Sequence, residues 1–412
     1  MQEKNISRFD FEQCQKCNIC STVCPMAEVN PLYPGPKMAG PDEERFRLKD
    51  PEFFDMALKY CLNCKRCEVA CPSGVKVADL IAEAKMKHRG ARHIVRDWTL
   101  ANTDLVGSLA TPFAPLVNGV LSNRTVASVM DGALGVDKRR TFPAYTQQRF
   151  VNWFRREAPS QEGFKRYVSY FHGCYVNYNY PELGHDFVTL MNACGVGVRL
   201  LDGEKCCGTA LIANGFRAQA RGQAKGNITA MRAALDSGSE AILTSSSSCT
   251  YTMRSDYPLL LGVESAPVRD ALMLATRYLY EKVEAGEIKL VFRPGFRSHL
   301  AYHTACHMQR LGWQIFSIGL LKMIPGLTLE VLPQQCCGIA GTFGFKKENY
   351  AYSQRIGSKL FDSIRNARVA AVTTDCETCK WQIEMSTGLK VRNPLSVLLM
   401  ALDLDATAAA NK

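Results

Sequence analysis

Eight cysteines between residues 14 and 71 constrain this chain more than any other feature. They fall in two copies of one pattern, C-x2-C-x2-C-x3-C-P. The first is Cys14, Cys17, Cys20 and Cys24 before Pro25; the second is Cys61, Cys64, Cys67 and Cys71 before Pro72. A Cys-x2-Cys-x2-Cys loop curls over a cube and sets three thiolates on three irons. The fourth cysteine lies past the loop, beside a proline that turns the chain away, and reaches the other cluster. The pattern predicts two [4Fe–4S] clusters with crossed ligation, one on Cys14, Cys17, Cys20 and Cys71, the other on Cys61, Cys64, Cys67 and Cys24. Zinc is the plainer alternative. Its sites use paired Cys-x2-Cys or Cys/His sets with four ligands in all, and two complete runs do not read that way.

At 412 residues the chain has room for two or three domains, and 47% hydrophobic residues supply their cores. With 18 cysteines and no secretory leader, the expectation is metal binding or catalysis in a reducing compartment rather than disulfides. The polar segment 1–11 is not a signal peptide. No stretch approaches the roughly 18 uninterrupted apolar residues of a transmembrane helix, so a soluble or peripherally attached protein is expected. A net charge of +11 fits an anionic membrane surface, an acidic partner, nucleic acid or ordinary solubility. No nucleic-acid motif accompanies it, and no nucleic-acid partner is expected.

Residues 1–90 read as the two-cluster ferredoxin domain. Segments 42–49 and 51–60 look helical, and Val77, Leu80, Ile81 and Ala84 mark a helix over 75–87. Residues 91–165 read as a linker. A basic run over 85–97, with Lys85, Lys87, Arg89, Arg92 and Arg96, leads into it and is of the kind that usually forms a solvated helix face. Residues 98–121 then carry one charge, Asp104, among many apolar residues. Pro112 and Pro115 break this stretch too much for a simple bilayer span. It either packs across the next domain, the first expectation, or lies in a membrane interface beside the basic run. Residues 141–159 add a second basic and aromatic patch: Phe142, Tyr145, Phe150, Trp153 and Phe154 with Arg149, Arg155 and Arg156.

From residue 166 strands alternate with helices, and the order repeats. Strand 167–171 ends at Cys174, strand 198–201 precedes Cys206-Cys207-Gly208, and strand 241–243 runs toward Cys249. In the second copy, strand 300–302 ends at Cys306, strand 327–332 precedes Cys336-Cys337-Gly338, and strand 369–373 ends near Cys376 and Cys379. The offsets 174→306, 206→336 and 249→376 are 132, 130 and 127 residues. This predicts two parallel α/β halves, 166–290 and 291–405, with cysteines at the carboxyl ends of strands. Val268, Ala271, Leu272, Ala275 and Leu279 read as a connecting helix, and the tail 406–412 as disordered. Adjacent cysteines strain a relaxed cube but can bridge or cap an opened cluster, with Gly208 and Gly338 letting backbone approach the metal. The second copy offers five thiols, Cys306, Cys336, Cys337, Cys376 and Cys379. The first offers four, Cys174, Cys206, Cys207 and Cys249, with Thr252 where the second has Cys379. The expectation is a noncubane [4Fe–4S] cluster in the second copy, and an altered cluster, a zinc or nothing in the first.

The spacing of each copy resembles the CCG domain found in the B subunits of heterodisulfide reductases. Joined to the eight-cysteine module, it resembles the iron–sulfur subunits of glycolate and lactate oxidases. Most of all it resembles the C subunits of anaerobic glycerol-3-phosphate dehydrogenases, through Tyr33-Pro34-Gly35-Pro36-Lys37, Ala39-Gly40-Pro41-Asp42, Arg47-Leu48-Lys49-Asp50 and residues 58–67. The resemblance implies an α+β multidomain chain: an N-terminal α-helical ferredoxin followed by two pseudo-repeated α/β CCG domains. It further implies an electron-transfer subunit with no catalytic residues of its own. Such a subunit takes electrons from flavoprotein dehydrogenase partners, passes them to menaquinone, and tethers the complex peripherally to the cytoplasmic face of the inner membrane. The alternatives are a glycolate or lactate oxidase iron–sulfur subunit, or a heterodisulfide or quinone reductase acting at a CCG site. No G-x-G-x-x-G follows a strand and no Walker A motif is present, so neither FAD, NAD nor ATP is expected to bind. Lys65 and Arg66, beside Cys64, are expected to stabilise the reduced form of that cluster.

Overall fold

The computed structural model describes residues 11–90 and 93–412. The polar start of the chain and Arg92 of the basic run lie outside the described residues. The architecture is α+β: short helices first, then two four-stranded parallel sheets.

The two cysteine runs fold alike. Lys16 and Asn18 in the first, and Asn63 and Lys65 in the second, take positive φ of 58°, 64°, 52° and 63°. These left-handed residues, at matching places in each run, wind the loops tightly enough for the thiols to face inward. A one-turn helix follows each, Ile19–Thr22 and Arg66–Val69. Behind them Val77–Lys87 buries Val77, Leu80, Ile81 and Ala84, the stripe its periodicity predicts. Segment 51–60 is less helical than expected. It makes a turn and then the 3-10 helix Met56–Tyr60, started by the Asp55 carboxylate accepting from the Ala57 amide at 2.6 Å.

The first sheet holds β1 (Arg166–Phe171), β2 (Val196–Leu200), β3 (Ile242–Thr244) and β4 (Leu272–Leu274) in the order β2-β1-β3-β4. The second holds β5 (Ser298–Tyr302), β6 (Leu327–Val331), β7 (Ala371–Thr373) and β8 (Val391–Arg392) in the order β6-β5-β7-β8. Every pairing is parallel, so the second half repeats the first strand for strand. The expected helix over 268–279 is partly wrong. Leu272–Leu274 pairs with β3, and the helix starts only at Ala275. The tail is not disordered either: Leu404–Ala410 is a helix capped by Asp403, and the Asn411 side-chain amide donates to the Lys289 carbonyl at 2.7 Å.

The linker departs most from its first expectation. Thr103–Ala110, a 3-10 turn Thr111–Phe113, and Ala114–Ser122 make one nearly continuous helical run. Pro112 and Pro115 sit in the first turns, where no amide bond is lost, so they join the pieces rather than break them. By length and composition Thr103–Ser122 suffices to cross a membrane, yet its most apolar window is only 22% buried. Small residues face the protein: a Cβ on Gly107 would overlap the Tyr178 ring. Leu105, Leu109, Phe113, Leu116 and Val120 face outward, with Phe113 at 65% and Leu116 at 70% exposure. Of the described members of the basic run ahead of it, Lys87 and Arg89 are exposed, while Lys85 and Arg96 turn into the protein. Lys85 donates to the Cys61 carbonyl at 3.0 Å, Arg89 stacks on Phe216, and Arg96 grips Glu348 with two bonds.

Lys65 is fully buried between the modules. Its ammonium pairs with Asp79, lies 3.9 Å from Glu68, and reaches Asp256 of the first α/β half at 3.7 Å. Burial opposes its charge, but Asp79, then Glu68 and Asp256, hold its pKa well above the usual lysine value. Replacing Lys65 by Met leaves these carboxylates buried without their cation, at an expected cost of about 3–5 kcal/mol. The predicted readout is faster amide exchange in both Val77–Lys87 and Thr252–Leu261; unchanged protection in either would show that Lys65 does not join them.

Candidate functional site

The thiols of the ferredoxin module gather in two groups. Cys20 has Cys14, Cys71 and Cys17 as its neighbours. Cys24 faces Cys64 and Cys61, and lines one small cavity with Cys61, Cys64 and Cys67. Each group thus takes three thiols from one run and one from the other. Burial, then the nearby Cys64, push the Cys24 thiol up to about 12. Thiols so crowded and dry ionise together only if cations compensate them, which is the environment an iron–sulfur core provides. Lys65 and Arg66 both line this cavity. Arg66 favours the charged form of Cys64, and Lys85, then Lys65, that of Cys61, although three carboxylates share the Lys65 charge. Lys85 comes from the basic run expected to be solvated, and Arg66 also bonds the Gln334 carbonyl of the second half at 2.8 Å.

The remaining metal-type cysteines converge at the carboxyl ends of β1, β2 and β3, and again of β5, β6 and β7. In the first half Cys174 and Cys206 lie 3.7 Å apart, Cys206 bonds Cys207, and Cys207 bonds Cys249. In the second half Cys306 meets Cys336, Cys337 lies 3.4 Å from Cys379, and Cys379 meets Cys376. No three His, Cys, Asp or Glu side chains among the described residues converge as a single metal ion requires. Cys194, the eighteenth cysteine, is buried apart from both sets.

The halves differ where the sequence placed Thr252. Its hydroxyl meets Thr209 at 2.7 Å and Asp256 at 3.3 Å, and Thr209 in turn lies 3.2 Å from Cys207. Thr252 therefore belongs to a polar chain that ends on the Lys65 cluster, whereas Cys379 points into its thiol set. The glycines also differ from expectation. Gly338 has φ +84°, and a Cβ there would strike the Ser353 carbonyl. The close approach it permits is that of the helix Tyr350–Ala367.

Both thiol sets and Cys64 open on one cavity of about 460 Å³. The halves meet across it: Ser247 donates to the Asp375 carbonyl, Ser248 lies 3.5 Å from Cys376, and Tyr251 stacks on His307. Cys64 also hydrogen-bonds Cys306, so the ferredoxin module touches the second set directly. The linker brings a different group to each set. Asp104 accepts from the Cys206 amide at 2.6 Å, and burial, then Cys206, push its carboxyl up to about 7. Arg140 is buried beside Cys337, bonded to the Gly344 carbonyl, Gln382 and Ser353, with no ion pair among the described residues. Sequence reasoning missed Arg140 because nothing in its neighbourhood marks it; its partners come from residues 344–382.

A buried guanidinium without a carboxylate stabilises negative charge on the neighbouring thiol set. In Arg140→Gln, redox titration of the paramagnetic signal that depends on Cys337 should show a midpoint lower by about 60 mV, tenfold in a one-electron equilibrium. The ferredoxin signals should not move. An unchanged midpoint would mean that Arg140 serves packing alone. Gly338→Ala should also lower stability more than Gly208→Ala, whose Cβ would have its nearest neighbour at 3.7 Å; thermal unfolding of the two variants checks this.

Comparison with known proteins agrees with this layout. The 4Fe-4S dicluster domain family matches residues 10–75, and the cysteine-rich CCG domain family matches 168–254 and 300–384. The C subunit of the anaerobic glycerol-3-phosphate dehydrogenase of Escherichia coli K12 is 51% identical over 392 residues, 95% of this chain and 98% of that one. The B subunit of the fumarate reductase (CoM/CoB) of Methanothermobacter marburgensis is 24% identical over 95% of this chain and 72% of its own length. Lactate utilization protein A 2 of Bacillus cereus is 33% identical over 43% of this chain and 74% of its own. The chain belongs to the family of anaerobic glycerol-3-phosphate dehydrogenase C subunits, built from an iron–sulfur dicluster domain and two CCG domains.

Proposed function

We propose that this chain is the iron–sulfur electron-transfer subunit of an anaerobic glycerol-3-phosphate dehydrogenase. It accepts electrons from flavoprotein partners, delivers them to menaquinone, and rests peripherally on the cytoplasmic face of the inner membrane. The observation that carries the reading is the cavity shared by Cys64 and both CCG thiol sets. The relationship to the Escherichia coli C subunit supplies the donor.

In this reading Cys14, Cys17, Cys20 and Cys71 hold one [4Fe–4S] cluster, and Cys61, Cys64, Cys67 and Cys24 the other. Cys306, Cys336, Cys337, Cys376 and Cys379 hold a noncubane cluster. Cys174, Cys206, Cys207 and Cys249 would hold an altered cluster or a zinc. When bound, such clusters pass electrons one at a time. The protein's part is to crowd the thiols in dry cavities, to place Lys85 and Arg140 beside them, and to bring Cys64 against Cys306. At the acceptor end a quinone takes the two electrons that the flavoprotein partners supplied, takes two protons from water, and leaves as the hydroquinone.

The membrane reading rests on the outward face of Thr103–Ser122, where Leu109, Phe113 and Leu116 stand exposed. Exposed Arg124 and Lys138 border the same linker and suit anionic headgroups, within a chain of net charge +11. The same helix is pinned along its inner face by Tyr178 and by Arg149 bonding the Ser108 carbonyl, which favours lying in the interface over crossing it.

Two experiments test this. With the flavoprotein partners present, Cys337→Ala should abolish menaquinone reduction while glycerol-3-phosphate still reduces both ferredoxin clusters. Cys207→Ala should do less, and equal losses of iron and activity would make the two sets equivalent. In flotation with anionic vesicles, replacing Leu109, Phe113 and Leu116 by Ser together should lower vesicle binding at least tenfold. Wild-type complex that stays unbound would remove the membrane role.

A further inference from the structure

The shared cavity does not end at the thiols. It runs on beneath the linker, where Val106, Ala110, Val117 and Leu121 form its wall. These residues alternate along the helical run with the outward set Leu105, Leu109, Phe113, Leu116 and Val120. The run is therefore apolar on two faces, one turned to solvent and one to the cavity. A helix that only packs needs the second face, and a helix that only floats on lipid needs the first. Met130 and Leu134, on the segment that follows, continue the cavity wall, and Leu134 is also exposed.

At the other end the cavity becomes aromatic. Phe142, Phe345, Trp381 and Tyr175 line it on the side of the second thiol set. Phe142 and Phe345 have ring centroids 5.3 Å apart, Phe345 and Trp381 meet edge to face at 5.0 Å, and Tyr175 lies 6.5 Å from Trp381. Such a wall accepts a flat ring. Polar atoms without a hydrogen-bond partner among the described residues also line the cavity: Oε1 of the buried Glu377 beside the second thiol set, and Oδ1 of Asn63, Oγ1 of Thr103 and Oδ1 of Asp256 elsewhere on its wall. The cavity's volume of about 460 Å³ includes the space at the two thiol sets, and the part left for a ligand is the part walled by the linker and the aromatic rings.

We propose that this cavity is the binding site for a lipid-soluble quinone with a fused aromatic ring. The ring lies against Phe142, Phe345 and Trp381 beside Cys337 and Cys379, and the isoprenoid tail runs under residues 103–134 to the outward apolar face. The proposal rests on the quinone-acceptor reading above and adds where the quinone binds and by which side it enters. It also gives the two-faced helix one purpose: its outer surface meets lipid, and its inner surface guides the tail.

The test uses the whole complex with its flavoprotein partners on anionic vesicles, with two acceptors: menaquinone carrying its full tail, and menadione, which has the same ring and no tail. Val117→Trp narrows the tail path without touching the aromatic wall. The expected result is a rise of at least tenfold in KM for menaquinone, with menadione reduction, iron content and ferredoxin signals unchanged. An equal effect on both acceptors, or on neither, overturns the channel. In the wild-type complex a quinone with a photoreactive tail should label peptides within 103–134, and excess menaquinone should suppress the labelling. Labelling confined to other peptides overturns the proposal without needing a variant. A wild-type complex that reduces neither acceptor removes the quinone reading itself, and the site with it. Reduction of both with no change in Val117→Trp removes the channel and leaves that reading in place.

Discussion

The structure depends on one buried ammonium. Lys65 leaves the second cysteine loop in a left-handed turn and drives its charge into a dry space between three carboxylates. Such a group is tolerable only if its partners come to it, and they come from two modules: Glu68 and Asp79 from the ferredoxin, Asp256 from the first α/β half. Because Lys65 follows Cys64 directly, fixing its ammonium also fixes that thiol against Cys306. A fully buried ion-pair cluster thus sets the approach of one metal-type site to another.

Duplication explains the rest of the layout. Two copies of one parallel sheet present the same strand ends, and each places its thiols where the strand order turns back on itself. Facing the copies toward each other gives a single space rather than two. The copies then diverge in what surrounds the thiols: a carboxylate at the first, a guanidinium at the second, and Thr252 where the second has a cysteine. A symmetric frame carrying unlike charges is polarised, and that polarity is a property of side chains brought in by the linker.

Much of this was legible beforehand. The two runs of four cysteines, the repeat and the strand ends follow from spacing, since thiols at a strand terminus and a period near 130 leave few folds open. What failed did so for physical reasons. Leu272–Leu274 is apolar in a way that suits helix or strand, and only the open edge of β3 decides it. The alanine-rich tail has no stripe to read, but alanine needs little help to form a helix once Asp403 caps it. The prolines of the linker looked like breaks because sequence does not say whether a proline falls in a first turn. Lys65 looked like a charge for the cluster alone because Asp256, which its ammonium also meets, lies far along the chain. The cavity had no signature, because its walls come from the ferredoxin, the linker and both halves.

The C-terminal helix has a consequence of its own. Leu404–Ala410 packs on Pro181–Ala193 of the first half, the Asp403 amide donates to the Val291 carbonyl at 2.8 Å, and the Asn411 carbonyl sits against Gly195. The first half is therefore finished by residues that come after the whole second half in the chain. A repeat that looks self-contained in sequence borrows its closing helix from beyond its twin, so the first half cannot complete its packing until residues 403–411 have folded back onto it.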